Sequence, residues 1–449
     1  MNLNEFLTGI VNSSVGPVIF ICEGCKFRFL TTNTNRIGRD KNVSLIPDEY
    51  GYLHGQTHDG RAIHISTKNV LQIHSKRTFH VSHYFISFKN LQGSVLHSFR
   101  GLRVENGSLR SVFRPKSSLM ERIESGINEE TCNDILSSSF KFSQTKATIR
   151  IGTRIVEERS QNEGDRIIRN VMLDLLFESS LLISEFSDAF SCILSLCRFM
   201  TGRQNIGFEK ISLLIESENS DVSFPTAYIC CHMDNSELYT TRPLHECIQF
   251  SDIADDVGKL AEFFYLHKKD SAFLGMEFLP PDDSMIHVMS NSIVRNIVIS
   301  FENAAKLDGL NACDNQLTDK LTEYLETAMN NHMNSSEGLP DHTIYTKMKN
   351  RLKDRNRSLP EQIKVANHKF IRLMEFVVVP TEYKLNQKSI KALVNYRHDS
   401  MHGRIGNRDD LVCFAAYQVV ALIYCCILDA AKISNNVIEK VMQKGVYRP

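Results

Sequence analysis

Residues 390 to 404 read Ile390-Lys391-Ala392-Leu393-Val394-Asn395-Tyr396-Arg397-His398-Asp399-Ser400-Met401-His402-Gly403-Arg404. At about 100° per residue, Ile390, Leu393, Val394 and Met401 fall on one apolar stripe, with Arg397 in its middle. The pattern is that of a helix packing into a core. A guanidinium cannot shed its charge by shifting its pKa, so burying it is costly unless an anion or a hydrogen-bonding partner meets it there. His402 and Gly403 follow. Glycine accepts a left-handed conformation, so the helix is expected to stop there with an imidazole in its last turn. An arginine fork that grips phosphate oxygens, beside an imidazole able to take up or release a proton, suits phosphodiester chemistry. The same residues also fit an inter-helix salt bridge and a solvated histidine.

Outward from this stretch the chain continues as helix. After Asp409 and Asp410, apolar residues run from Leu411 to Ile433, and a closing helix is expected near Val437 to Met442. Leu411 to Leu428 is nearly long enough to span a bilayer, and Gln418 is its one strongly polar residue. Asp409, Asp410 and Asp429 flank it without a basic cluster to set orientation, so a bundle core or dimer interface is the preferred reading. On the N-terminal side, Leu317, Leu321, Tyr324, Leu325 and Ala328 form one helical stripe; Ile363, Ala366, Phe370, Met374 and Val377 form another. Ser358-Leu359-Pro360-Glu361 opens the second as a capping box and Pro380 closes it. Together these segments predict an antiparallel bundle. Just before the box, Lys347, Lys349, Arg351, Lys353, Arg355 and Arg357 form a basic run that fits either a phosphate backbone or a solvated helix face.

Farther upstream the spacing changes. Val18 to Cys22, Ala62 to Ile65, Phe79 to Phe88 and Ala147 to Ile155 alternate or are β-branched, with turns at Asp59-Gly60 and Asn106-Gly107. From Ile167 helical spacing is expected, clearest in Ile183, Phe186, Phe190, Ile193, Cys197 and Met200 before Gly202. Short strands around Ile211 to Ile215 and Thr226 to Cys231 should follow, then a helix from Ile253 to Leu266. Pro280-Pro281-Asp282-Asp283 is the sharpest boundary. The expected fold class is α+β: a strand-rich domain over 1–165, sandwich-like or barrel-like, a mixed helix and strand continuation over 166–280, and an all-helical domain over 281–449.

The segment Arg397-His398-Asp399-Ser400-Met401-His402, with the Gly403 turn and the long apolar helix after it, resembles the arginine, polar residue, three variable residues, histidine signature of HEPN-domain ribonucleases. The family usually has Asn where this chain has His398. Tyr52 to Ile65, Phe88 to Phe113 with Leu102-Arg103-Val104, and Leu194 to Leu213 with Phe199-Met200-Thr201-Gly202 resemble the N-terminal region of ApeA-type members. The resemblance implies a metal-independent endoribonuclease acting as a homodimer, used in bacterial defence against phage and released by a phage-derived trigger. It assigns His402 as general base toward a ribose 2′-hydroxyl and Arg397 as the group that stabilises charge on the phosphorane-like transition state. His398 becomes leaving-group acid or orienting residue, and Arg404, Lys347, Lys349 and Arg351 become contacts to RNA. No cofactor is implied. Another reading is a catalytically silent bundle of the same type, serving dimerisation or partner binding; a membrane-tethered sensor is a third.

Composition frames these expectations. The 449 residues suffice for two or three cored domains, and formal net charge is zero. The charge is divided, however: from Pro340 onward 19 Lys plus Arg face 10 Asp plus Glu, whereas the preceding residues carry 33 against 42. That division suggests a basic part that meets a polyanion and an acidic part acting as sensor or brake. Twelve scattered cysteines and no legible leader predict free thiols in a reducing cytoplasm. Cys22 and Cys25 lack a second pair at zinc-finger spacing, and His54 with His58 and His80 with His83 lack a third ligand, so no metal site is expected.

Overall fold

From Phe6 the residues alternate: Leu7, Gly9 and Val11 point inward while Phe6, Thr8 and Ile10 face out, the period of a strand with one covered face. The computed structural model describes residues 6–13, 16–31, 43–67, 71–73, 78–87, 96–113, 133–160, 164–217, 220–231, 246–269, 276–281, 289–311, 315–335, 342–353, 357–402 and 409–445. The chain forms two compact units, Met1–Leu274 and Gly275–Pro449.

The first unit is built on antiparallel strands: β1 Phe6–Ser13, β2 Gly16–Glu23, β3 Lys26–Thr31, β4 Val43–Leu45, β5 Tyr52–Thr57, β6 Ala62–Ser66, β7 Leu71–Ile73, β8 Thr78–His80, β9 His83–Ser87, β10 Ser98–Glu105, β11 Asn133–Phe142, β12 Thr145–Ser160, β13 Gly164–Leu182, β14 Lys210–Ser217 and β15 Ser220–Cys231. Thirteen join one sheet in the order β11-β12-β13-β10-β14-β15-β9-β6-β5-β1-β2-β3-β8, and β4 pairs with β7. Where β1 pairs with β5 the backbones are so close that a Cβ on Gly9 would lie 2.2 Å from the Gln56 carbonyl oxygen. Only glycine fits there. Phe20, Phe27, Phe29, Leu53, Ile63 and Ile65 fill the core beneath this part of the sheet. Among the described residues the two longer helices of the unit, α1 Phe186–Thr201 and α2 Val257–Leu266, pack on each other, beside a single helical turn at Leu109–Val112; α1 also packs on β13 and α2 on β11 and β12. Gly202, at φ +69°, closes α1 as the sequence predicts.

Three expectations change here. The helical spacing expected from Ile167 is strand as far as Leu182, since Leu173, Leu175 and Phe177 alternate inward and β13 pairs with β12 on one side and β10 on the other. The same strand runs through the expected division at 165. The expected strand Phe79 to Phe88 is two strands over its described part, because β8 pairs with β3 whereas β9 pairs with β6 and β15, and Phe88 lies outside the described residues.

The second unit is helical among its described residues: α3 Asn291–Leu307, α4 Asn315–Met333, α5 His342–Lys353, α6 Leu359–Lys369, α7 Gln387–Met401, α8 Asp410–Ala430 and α9 Asn435–Lys444, with a single turn at Ile371–Met374. Asp282 and Asp283 of the expected boundary lie outside the described residues. Asp409 caps α8 by accepting from the Val412 N–H at 3.0 Å, and Glu361 accepts from the Ser358 N–H at 2.9 Å to open α6. α8 is long and apolar enough to cross a membrane, and it forms the buried centre of this unit against α3, α6, α7 and α9. Its buried Gln418 amide is satisfied, accepting from the Leu385 N–H and donating to the Tyr383 and Phe414 carbonyls. The antiparallel α+β part and the helical part agree with the coarse fold class expected from the sequence.

Candidate active site

The helix that carries Arg397 is set by its first turn. The Asn386 side chain accepts from the Lys388 and Ser389 N–H groups at 2.8 and 3.1 Å, and Ser389 Oγ accepts from the Asn386 N–H at 2.9 Å. Ser389, Ile390, Leu393 and Tyr396 are buried against α3, α6 and α8, and the Tyr396 hydroxyl donates to Asn291 Oδ1 at the start of α3.

The apolar stripe ends sooner than expected. Val394 is only half-buried and Met401 is 55% exposed, so the last turn of α7 stands clear of the core. Arg397 sits where the stripe gives out, its side chain 27% exposed. The anion that its burial requires is present: Arg397 Nη2 donates to Glu302 Oε2 of α3 at 3.0 Å. Burial lifts the Glu302 carboxyl above its ordinary value, opposed by the nearby guanidinium. The Arg397 Nε–H is buried and has no hydrogen-bond partner among the described residues, as is the case for Ser400 Oγ on the same helix.

His398 and His402 are exposed one turn apart, their rings edge to face with centroids 4.5 Å from each other. His402 caps the helix, its N–H reaching the Asp399 carbonyl at 3.1 Å. In a regular helix positions five apart diverge by about 140°, so Arg397 and His402 of one chain point along different directions. The structure thus groups Arg397 with Glu302, and His398 with His402, at one helix end. Of the expected RNA contacts, Lys347 is exposed on α5, the side chains of Lys349 and Arg351 lie outside the described part of that helix, and Arg404 lies outside the described residues, as does Gly403. Arg357 of the basic run turns to the protein, donating to the Leu310 carbonyl at 2.9 Å.

Glu302 was not legible in sequence, where it is one more acid beside an apolar stripe. Two other polar groupings were missed. Asp48 Oδ2, His54 Nε2, His54 Nδ1 and His64 Nδ1 form a hydrogen-bonded chain with links of 2.8 and 2.7 Å across β5 and β6. His83 Nε2 meets the Tyr52 hydroxyl at 2.9 Å and its Nδ1 meets Ser82 Oγ at 2.9 Å. Burial holds both His64 and His83 down at about 4. In the helical unit Lys369 Nζ bridges Asp308 at 2.8 Å and Asp429 at 2.6 Å. Among the described residues no group of three or more His, Cys, Asp or Glu is placed to hold a metal ion, and Cys22 and Cys25 are buried, with Cys22 Sγ donating to the Gly24 carbonyl at 2.8 Å.

Set against known proteins, the chain matches no protein-family model, no curated protein and no solved structure.

Proposed function

We propose that the chain is a metal-independent endoribonuclease of the HEPN type, acting in the cytoplasm as a homodimer in defence against phage. The observation that carries this reading is the end of α7, where a partly buried arginine keeps an unused N–H donor and two histidines stand open to solvent one turn apart. His402 takes the proton from a ribose 2′-hydroxyl, whose oxygen attacks the adjacent phosphorus. The P–O5′ bond breaks, and the leaving oxygen takes a proton, for which His398 is the nearest candidate. Arg397 donates to the phosphoryl oxygens as charge builds on them. Because Arg397 and His402 diverge on one helix, a second copy facing the exposed end of α7 would bring the arginine of one chain toward the histidine of the other. The acidic part of the chain then serves as sensor or brake for the basic part.

The test is RNA cleavage by the wild type beside Arg397→Ala and His402→Ala, with fold checked by circular dichroism. Each variant should lose on the order of 100-fold or more in rate. Products should end in 2′,3′-cyclic phosphate, EDTA should leave the rate unchanged, and a 2′-deoxy nucleotide at the scissile position should block cleavage. Unimpaired cleavage by both variants, or 3′-hydroxyl products, would refute the mechanism. A second reading, a catalytically silent bundle that binds a partner, draws on the Arg397 and Glu302 ion pair, which a purely structural arginine would also make.

A further inference from the structure

Arg103 and Arg397 meet carboxylates in different ways. Arg103 gives both Nε and Nη2 to Asp174, at 2.7 and 2.8 Å, so that edge of its fork is closed. Arg397 gives Nη2 alone to Glu302, and neither its buried Nε–H nor the Ser400 hydroxyl one turn along the same helix has a hydrogen-bond partner among the described residues. A bidentate pair is the stronger link for fastening two elements. A single contact restrains the guanidinium and leaves donors for another oxygen.

α3 and α7 are already fastened without it. Val294, Ile297, Val298 and Phe301 of α3 are buried, as are Ile390 and Leu393 of α7, and Tyr396 bonds Asn291. Glu302 lies beyond that packed face, with its side chain 35% exposed. Opposite the guanidinium a carboxylate does two things. It removes rotamer freedom from a long side chain, which favours a productive geometry, and it lowers the attraction of the site for phosphate.

We infer that Glu302 is the positioning residue for Arg397, aiming the guanidinium at the scissile phosphate at the expense of affinity for RNA. The inference rests on the ribonuclease reading above. It separates turnover from binding. Removing the side chain frees the arginine, whereas replacing the carboxylate by an amide keeps a hydrogen-bond acceptor and removes the charge.

The experiment compares kcat and KM of the full-length wild type, Glu302→Ala and Glu302→Gln on one short single-stranded RNA, with Arg397→Ala alongside. Glu302→Ala should lose about tenfold or more in kcat with KM unchanged or lower. Glu302→Gln should keep kcat within about threefold of wild type and bind a non-cleavable 2′-deoxy version of the same RNA more tightly. A merely structural role would lower the melting temperature of both variants and leave kcat per folded molecule alone. Wild-type kcat in Glu302→Ala while Arg397→Ala is inactive would overturn the inference and leave the nuclease reading standing. No cleavage by the wild type would overturn both. Should Glu302→Ala not fold, Glu302→Gln decides: an unchanged affinity for the 2′-deoxy RNA refutes the inference.

Discussion

Lowering the pH from 7 to 5 should loosen the strands that carry His64 and His83 well before the helical unit responds. Both imidazoles are buried, 5% and 4% exposed, and burial holds them at about 4 against an ordinary value of 6.5. For His64 the nearby His54 and His97 push in the same direction, with Asp48 opposing. The fold therefore holds both neutral, and their stability contribution is complete above about 6.5 and lost as pH falls toward 4, because the unfolded chain takes up the protons first. A shift of this size costs about 1.4 kcal/mol for each pH unit and histidine within that window. From pH 7 to 5 the loss is roughly 2 kcal/mol for each histidine and about 4 kcal/mol together, a large share of the 5 to 15 kcal/mol of an ordinary domain. The chain has no tryptophan, so amide hydrogen exchange read by mass spectrometry over β5, β6 and β9 is the suitable assay. After correction for intrinsic exchange, protection in these strands should fall steeply between pH 7 and 5. His83→Gln should reduce that slope by about half, whatever it costs at pH 7. Equal protection at both pH values, or an unaltered slope in the variant, would refute the assignment of these histidines as neutral core groups.

The helical unit should show the opposite dependence. Burial and the adjoining Asp429 carboxyl push Asp308 up to about 7, so its stability contribution is present below about 4 and lost as pH rises through 7. Asp308→Asn should therefore raise the melting temperature, followed by circular dichroism, more at pH 8 than at pH 5; an equal change at both would refute this. Neutralising Lys347, Lys349 and Arg351 together should weaken RNA binding and flatten its dependence on salt, while leaving cleavage at saturating RNA nearly intact. An unchanged salt slope in a filter-binding titration would remove these residues from the RNA interface.

Much of the fold was legible where its cause is local. The capping box at Ser358 and Glu361, the cap at Asp409 and the closing Gly202 each depend on residues within one helical turn. α8 reads as core from its own composition, and the structure surrounds it with α3, α6, α7 and α9. β13 was misread because Ile167 to Phe177 is apolar enough to fit either period, and pairing with β10 and β12 decides it. The stripe through Arg397 was extended too far for a related reason. Periodicity gives the direction of a side chain but not where the neighbouring helices stop, so Met401 on the same stripe is exposed.

The sequence by itself determined the helical second unit, the strand-rich first unit and the placing of Arg397, His398 and His402 at the end of one helix, because propensity, caps and periodicity act over a few residues. The tertiary structure decided what those side chains meet. Glu302 is separated from Arg397 by 95 positions, and His54 faces His64 only because β5 and β6 fold into register. Charge partners and hydrogen-bonded chains depend on distance in space, and a buried ion or imidazole has its state set by neighbours that the local sequence does not contain.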